Sequence, residues 1–196
     1  LFINLHGLAL RSYQKIQSWN QADSCCSAGS VQSSWNKKPN PNINTTLPES
    51  GPGYRTYNRE ENGVDQVGLP ETVAFLQRLG AEWEKESDLP FQVGDISRAG
   101  GGPFPPHEAH RNGTEADLRP FRKDGAMLPT NINDASYDRD KTRQWVQLVK
   151  KMDPGATVLF NDPELIKEGL TRYYKGHHNH LHLRPTLSSD SLDQGC

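Results

Sequence analysis

The alternation His180-Leu181-His182-Leu183 constrains the fold of this chain more than any other feature. In an extended strand successive side chains point to opposite faces, so the two imidazoles share one face and the two leucines the other. The leucine face requires a hydrophobic core, and the imidazole face requires polar partners from neighbouring strands or loops. Six of the seven histidines fall in two short segments, His107 and His110 in the first and His177, His178, His180 and His182 in the second. A fold that uses them together must join two distant stretches of chain.

The 17 glycines, 14 prolines and hydrophobic share of 33 % predict short regular elements and much loop, which argues against a helical bundle. At 196 residues the chain fits one domain. Residues 1–45 are expected to be an irregular N-terminal segment packed on or leading into that domain, with the domain itself over 46–187 and a tail over 188–196. The first convincing helix opens at Pro70, with Val73, Phe75, Leu76, Leu79 and Trp83 as its apolar stripe. A half-buried strand is expected over Phe91 to Ile96, followed by the tight Gly100-Gly101-Gly102-Pro103-Phe104-Pro105-Pro106 loop that presents His107. Glu115 to Leu118 reads as a short strand, Asp140 to Met152 as a helix, Thr157 to Phe160 as a buried strand, and Glu164 to Tyr174 as a helix capped by Asn161-Asp162-Pro163. Helices and strands mix without strict alternation, so the expected fold class is α+β.

A formal net charge of -2 recommends no nucleic acid or membrane surface as partner. No apolar run reaches the ~18 to 20 residues of a membrane span. The chain opens at Leu1 on a mildly apolar stretch, as a processed chain without its signal peptide would. Cys25, Cys26 and Cys196 make an odd count. In an oxidising compartment one of the adjacent pair is expected to bond to Cys196, the alternative being three thiols in a reducing cytosol.

His180 and His182 share one strand face, and Asn112-Gly113 lies between His110 and Asp117, a turn dipeptide that lets imidazole and carboxylate meet. That makes four candidate ligands. Two imidazoles and a carboxylate suit zinc, and a catalytic zinc keeps a further position open. A histidine left over from the ligand set can act as the base that hydrolysis requires. A lone histidine would more often be a surface or core residue, but clustering at this spacing reverses that expectation. Closed structural zinc sites favour cysteine, and all three cysteines lie far in sequence from the histidines.

The run Gly94-Asp95-Ile96-Ser97, Gly101-Gly102-Pro103-Phe104, His107-x-x-His110, Asp117 and His177-x-x-His180-x-His182 resembles the penicillin-insensitive murein endopeptidases. Leu47-Pro48, Gly51-Pro52-Gly53-Tyr54 and Pro70-Glu71-x-Val73-x-Phe75-Leu76 extend the resemblance over roughly residues 45 to 185. It implies the lysostaphin, D-Ala-D-Ala-peptidase and hedgehog-like fold, a small antiparallel sheet carrying one zinc ion, flanked here by helices and long loops. By the same resemblance His110, Asp117 and His182 are the metal ligands and His180 is the general base. His107 and His177 are further catalytic histidines that bind substrate or stabilise the oxyanion. The implied substrate is peptidoglycan cross-link peptide, cut at a D-alanyl to diaminopimelyl amide by a secreted or periplasmic enzyme.

Arg119 and Arg184 follow the two ligand motifs and are expected to contact a substrate carboxylate, or else to pair with nearby acids. Two rival readings accompany the endopeptidase. One is a zinc D,D-carboxypeptidase or dipeptidase of the same fold; the other is a secreted zinc-containing binding module without turnover. No Gly-x-Ser-x-Gly elbow supports a serine hydrolase.

Overall fold

Pro70 supplies a preset φ at the start of helix α1 (Pro70–Trp83), and Glu71 adds an acidic group to its first turn. Its stripe of Val73, Phe75, Leu76, Leu79 and Trp83 is buried, as the periodicity predicts. The computed structural model describes residues 39–57, 63–105 and 107–187. These belong to one compact unit. The expected segment 1–45 therefore lies largely outside the described residues, and Cys25, Cys26 and Cys196 lie outside them altogether. The last residues of that segment are described, and Ile43 packs there with Val67 and Leu69 in a small satellite cluster.

Among the described residues eight short strands form two sheets. β1 (Thr45–Thr46) pairs antiparallel with β4 (Val67–Gly68). The larger sheet runs β2 (Ser50–Gly51), β3 (Tyr54–Thr56), β5 (Phe91–Val93), β6 (Ala116–Arg119), β8 (Leu181–Arg184), β7 (Thr157–Leu159). β3 and β5 are parallel, while β5, β6, β8 and β7 are antiparallel throughout. With the three helices of the described residues beside these sheets the fold class is α+β, as expected. The sheet is larger than a minimal antiparallel one because the parallel β3–β5 pair extends it.

Helix α2 (Arg139–Met152) begins at Asp138, whose carboxylate accepts the Lys141 N–H. It buries Trp145, Val146, Leu148 and Val149 in the core that α1 shares with one sheet face. Leu118 on β6, Leu181 and Leu183 on β8 and Val158 on β7 complete that core.

Three expected elements differ in extent. The strand from Phe91 ends at Val93, and its three residues are all buried rather than half-buried, since β5 is an inner strand between β3 and β6. The last strand begins at Leu181, so His180 stands just before it. The helix expected over Glu164 to Tyr174 is only α3 (Pro163–Lys167). Gly169 at φ +74° stops it: the Gly169 N–H bonds the Ile166 carbonyl and the Leu170 N–H bonds the Leu165 carbonyl, a Schellman closure that requires a left-handed residue. The chain then returns as an extended segment in which Arg172 bridges to Leu159.

Candidate metal centre

Strand register builds the first half of the site. Asp117 on β6 lies directly opposite His182 on β8, and Leu118 lies opposite Leu181. Asp117 and His182 therefore share the face turned away from the leucines. A register slip of one residue would set Leu181 against the carboxylate.

A loop residue supplies the second half. His110 is the one described non-glycine residue with positive φ, at +61°. That left-handed conformation is costly for a residue with a Cβ and persists only where its surroundings fix it. Two bonds hold it: the backbone N–H donates to Glu115 Oε2 at 2.7 Å, and ring Nδ1 donates to the Ile96 carbonyl at 2.9 Å. A carbonyl can only accept, so Nδ1 carries the proton and Nε2 presents a lone pair. That nitrogen lies 3.0 Å from Asp117 Oδ1 and 3.1 Å from His182 Nδ1, and the latter two atoms are 3.0 Å apart.

Two ring nitrogens and a carboxylate oxygen thus converge in a buried spot, a donor set that calls for positive charge. The electrostatics agree. Burial opposes charging of His182, but Asp117 and Glu115 on its two sides outweigh this and raise its pKa to about 9. Asp117, against the effect of burial, is held well below the usual carboxylate range by His110 and His182.

His107 joins from the preceding loop. Its Nε2 bonds Asp95 Oδ2 at 2.9 Å, and its Nδ1 lies 3.5 Å from the other Asp117 oxygen, Oδ2. His107, His110 and Asp117 offer ligand atoms all within 4.8 Å of one another, a group able to hold a metal ion. His182 Nδ1 approaches Asp117 more closely than His107 does.

His180 and His177 line the same side. His180 Nδ1 bonds the Asn179 side-chain oxygen at 2.8 Å, and its Nε2 points toward Asp117 Oδ2 at 3.9 Å. His177 Nδ1 bonds the Lys175 carbonyl at 3.1 Å, and its ring lies 4.5 Å from His180 and 5.7 Å from His182. Burial lowers the pKa of both, whereas the bond to Asp95 raises that of His107. His178 is exposed and enters the structure through its backbone carbonyl, which accepts from the Ile132 N–H.

The arginines have protein partners. Arg119 stacks its guanidinium 3.9 Å from the centre of the Tyr57 ring and bonds the Gln92 side chain and the Met127 carbonyl. Arg184 directs Nε and Nη2 at Glu115.

Tyr57, Asp95, Glu115 and Tyr174 carry no role in the sequence reading. Tyr57 lies against Gly94, where an added Cβ would come within 2.5 Å of its ring, so a glycine after β5 marked a close approach at the site. Burial first, then the Asp117 charge, raises the pKa of the Tyr57 hydroxyl. The signal for Glu115 was its position two residues before Asp117, which puts both on one strand face. Tyr174, half-exposed, sets its ring edge-on to His177.

A profile of the family described as penicillin-insensitive murein endopeptidase matches residues 42–158, more than half of the chain. The chain belongs to that family. A murein endopeptidase relative, the penicillin-insensitive murein endopeptidase of Haemophilus influenzae, is 30 % identical over 175 residues. The match covers 74 % of this chain and 59 % of the relative. The family match contains His107, His110 and Asp117 and ends before the His177 to His182 segment. Spatially that segment joins the matched one through the Asp117–His182 pair. Among the described residues no helix is long and apolar enough to cross a membrane.

Proposed function

We propose that this chain is a zinc-dependent murein endopeptidase that hydrolyses a peptide cross-link of peptidoglycan. The observation that carries the reading is the convergence of His110 Nε2, Asp117 Oδ1 and His182 Nδ1 to within 3.1 Å of one another in a chain of this family. Nitrogen and carboxylate donors in a buried set of three suit a single zinc ion. His182 is preferred to His107 as third ligand because His107 is held outward by Asp95 and faces the other carboxylate oxygen. Zinc bound there supplies a Lewis acid for the scissile carbonyl and activates water near neutral pH.

The residues around the metal then divide the remaining work. His180, kept neutral by burial with Nε2 aimed inward, takes the proton of the attacking water and returns it to the leaving amine. His107, whose pKa is raised by Asp95, presents a proton to the carbonyl oxygen as it gains charge. His177, neutral and stacked near His180, orients the substrate with Tyr174. Arg119, half-buried beside Tyr57, is assigned to the substrate side of the cleft. Cleavage of a cross-link needs no clamp for a free carboxylate, which favours the endopeptidase over the carboxypeptidase, since both arginines are already engaged. An enzyme with this substrate works outside the cytoplasm, and a D-alanyl to diaminopimelyl amide is the proposed bond.

The test is metal analysis of the purified chain joined to digestion of defined cross-linked and uncross-linked muropeptides. One zinc per chain, release of monomers from the cross-linked dimer, loss of that release with chelator and its return with zinc are the expected results. Undiminished cleavage after complete removal of metal would refute the proposal.

A further inference from the structure

Beside Asp117 and His182 lies a second polar pair. The β6–β8 register sets Ala116 opposite Leu183 and Asp117 opposite His182. Continued by one residue, it sets Glu115 opposite Arg184, on the same face as the metal ligands. Glu115 is buried, only 3 % exposed, and three groups converge on its carboxylate. Oε2 accepts the His110 backbone N–H at 2.7 Å. Oε1 accepts Arg184 Nε at 2.7 Å together with Nη2, and stands 3.9 Å from His182 Nε2, an ion-pair separation.

A buried carboxylate is expensive, and burying it to hold one surface arginine contributes little to stability. The geometry gives it a different use. One oxygen fixes the backbone of His110 in its left-handed conformation, which determines where Nε2 points. The other stands 3.9 Å from the ring nitrogen of His182 that is turned away from the ligand cluster, where its charge favours a proton on that nitrogen and leaves Nδ1 as the lone pair. Arg184, whose side chain is 61 % exposed, anchors the carboxylate from outside without entering the cluster.

We propose that Glu115 is a positioning residue that ties the two histidine ligands to each other, one through its backbone and one through its ring, with Arg184 as its anchor. The inference rests on the zinc reading above and names the element that sets the affinity of that site. Glutamine at 115 preserves volume but offers one acceptor oxygen where three donors converge.

The experiment is a zinc titration of the full chain against a competing chromogenic chelator, with the thermal midpoint of the metal-free form measured alongside. For Glu115→Gln a weakening of zinc binding by about 10- to 100-fold is expected, with the metal-free midpoint nearly unchanged. Zinc affinity within twofold of the parent overturns the proposal, as does a loss confined to the metal-free midpoint. If Glu115→Gln does not fold, Arg184→Met decides, because it removes only the anchor: weaker zinc binding supports the role and unchanged binding overturns it. A parent chain that binds no zinc refutes the enzyme reading together with this one, whereas tight binding by both parent and variant refutes this one alone.

Discussion

The four imidazoles around Asp117 differ in what holds their outer nitrogen, and that difference sorts their chemistry. His110 leans on a backbone carbonyl, His182 on Glu115, His107 on Asp95 and His180 on the neutral Asn179 amide. His180 has no carboxylate behind it, and burial lowers its pKa, so it stays neutral readily. His182→Ala is expected to abolish both zinc retention and turnover. His180→Ala should keep its zinc while kcat falls by about 10²- to 10⁴-fold, the range of a lost general base. Metal analysis beside muropeptide release separates the two outcomes, and full turnover in His180→Ala would remove it from the mechanism. On the proposed mechanism the pH profile of the parent follows from the same residue. A base must be unprotonated, and burial lowers the His180 pKa from its ordinary 6.5, so the acid limb of kcat/KM should lie below pH 6.5. His180 and His182 were singled out in the sequence because a strand alternates its faces, His107 and His110 because the histidines cluster, and Asp117 because a turn dipeptide separates it from His110. Glu115, Asp95 and Tyr57 were not singled out, because an acid or a tyrosine announces no partner until the chain is folded.

Among the elements, helices were read more accurately than strands. α1 opens on a proline and α2 on a capping aspartate, and each has a long apolar stripe, so their spans nearly match the expected ones. The strands are two to four residues long, too short for alternation to fix their ends. The short α3, where a longer helix is expected, shows a different limit. Leu165, Ile166 and Leu170 fit a helical stripe, yet a single left-handed glycine ends the helix before that stripe is complete. Caps should therefore have measurable weight here. Asp138→Ala removes the acceptor for the Lys141 N–H and is expected to destabilise the fold by about 1 kcal/mol, with Asp138→Asn nearly neutral. Urea denaturation of the two variants checks this, and equal midpoints for parent and alanine variant would contradict the capping role.

For the whole molecule, a buried carboxylate away from the proposed metal site links separate elements. Asp162, fully buried, accepts the Tyr137 hydroxyl at 2.8 Å, Arg139 Nε at 2.7 Å and the Glu164 N–H at 2.9 Å, joining the starts of α2 and α3. Burial pushes its pKa up, but the bonds from Arg139, Tyr137 and the α3 backbone outweigh burial and leave it below the ordinary value. A lowered folded pKa means that the ionised group adds stability above the unfolded value of about 3.9, and loses it as pH falls further. Thermal midpoints should decline below about pH 4 in the parent, and Asp162→Asn should start lower at neutral pH and decline less steeply. Parallel curves for the two proteins would exclude Asp162 from the acid response.

The register that sets Asp117 against His182 has one more consequence. These residues are 65 positions apart in the chain, and His110 and His182 are 72 apart, with α2, β7 and α3 between the two strands. An ion gripped by all three would act as a removable cross-link across that long excursion, shrinking the conformational freedom of the unfolded chain much as a disulfide does. Scarcity of metal would then disarm the enzyme and loosen its fold in one step, leaving a starved copy both idle and more open to proteolysis.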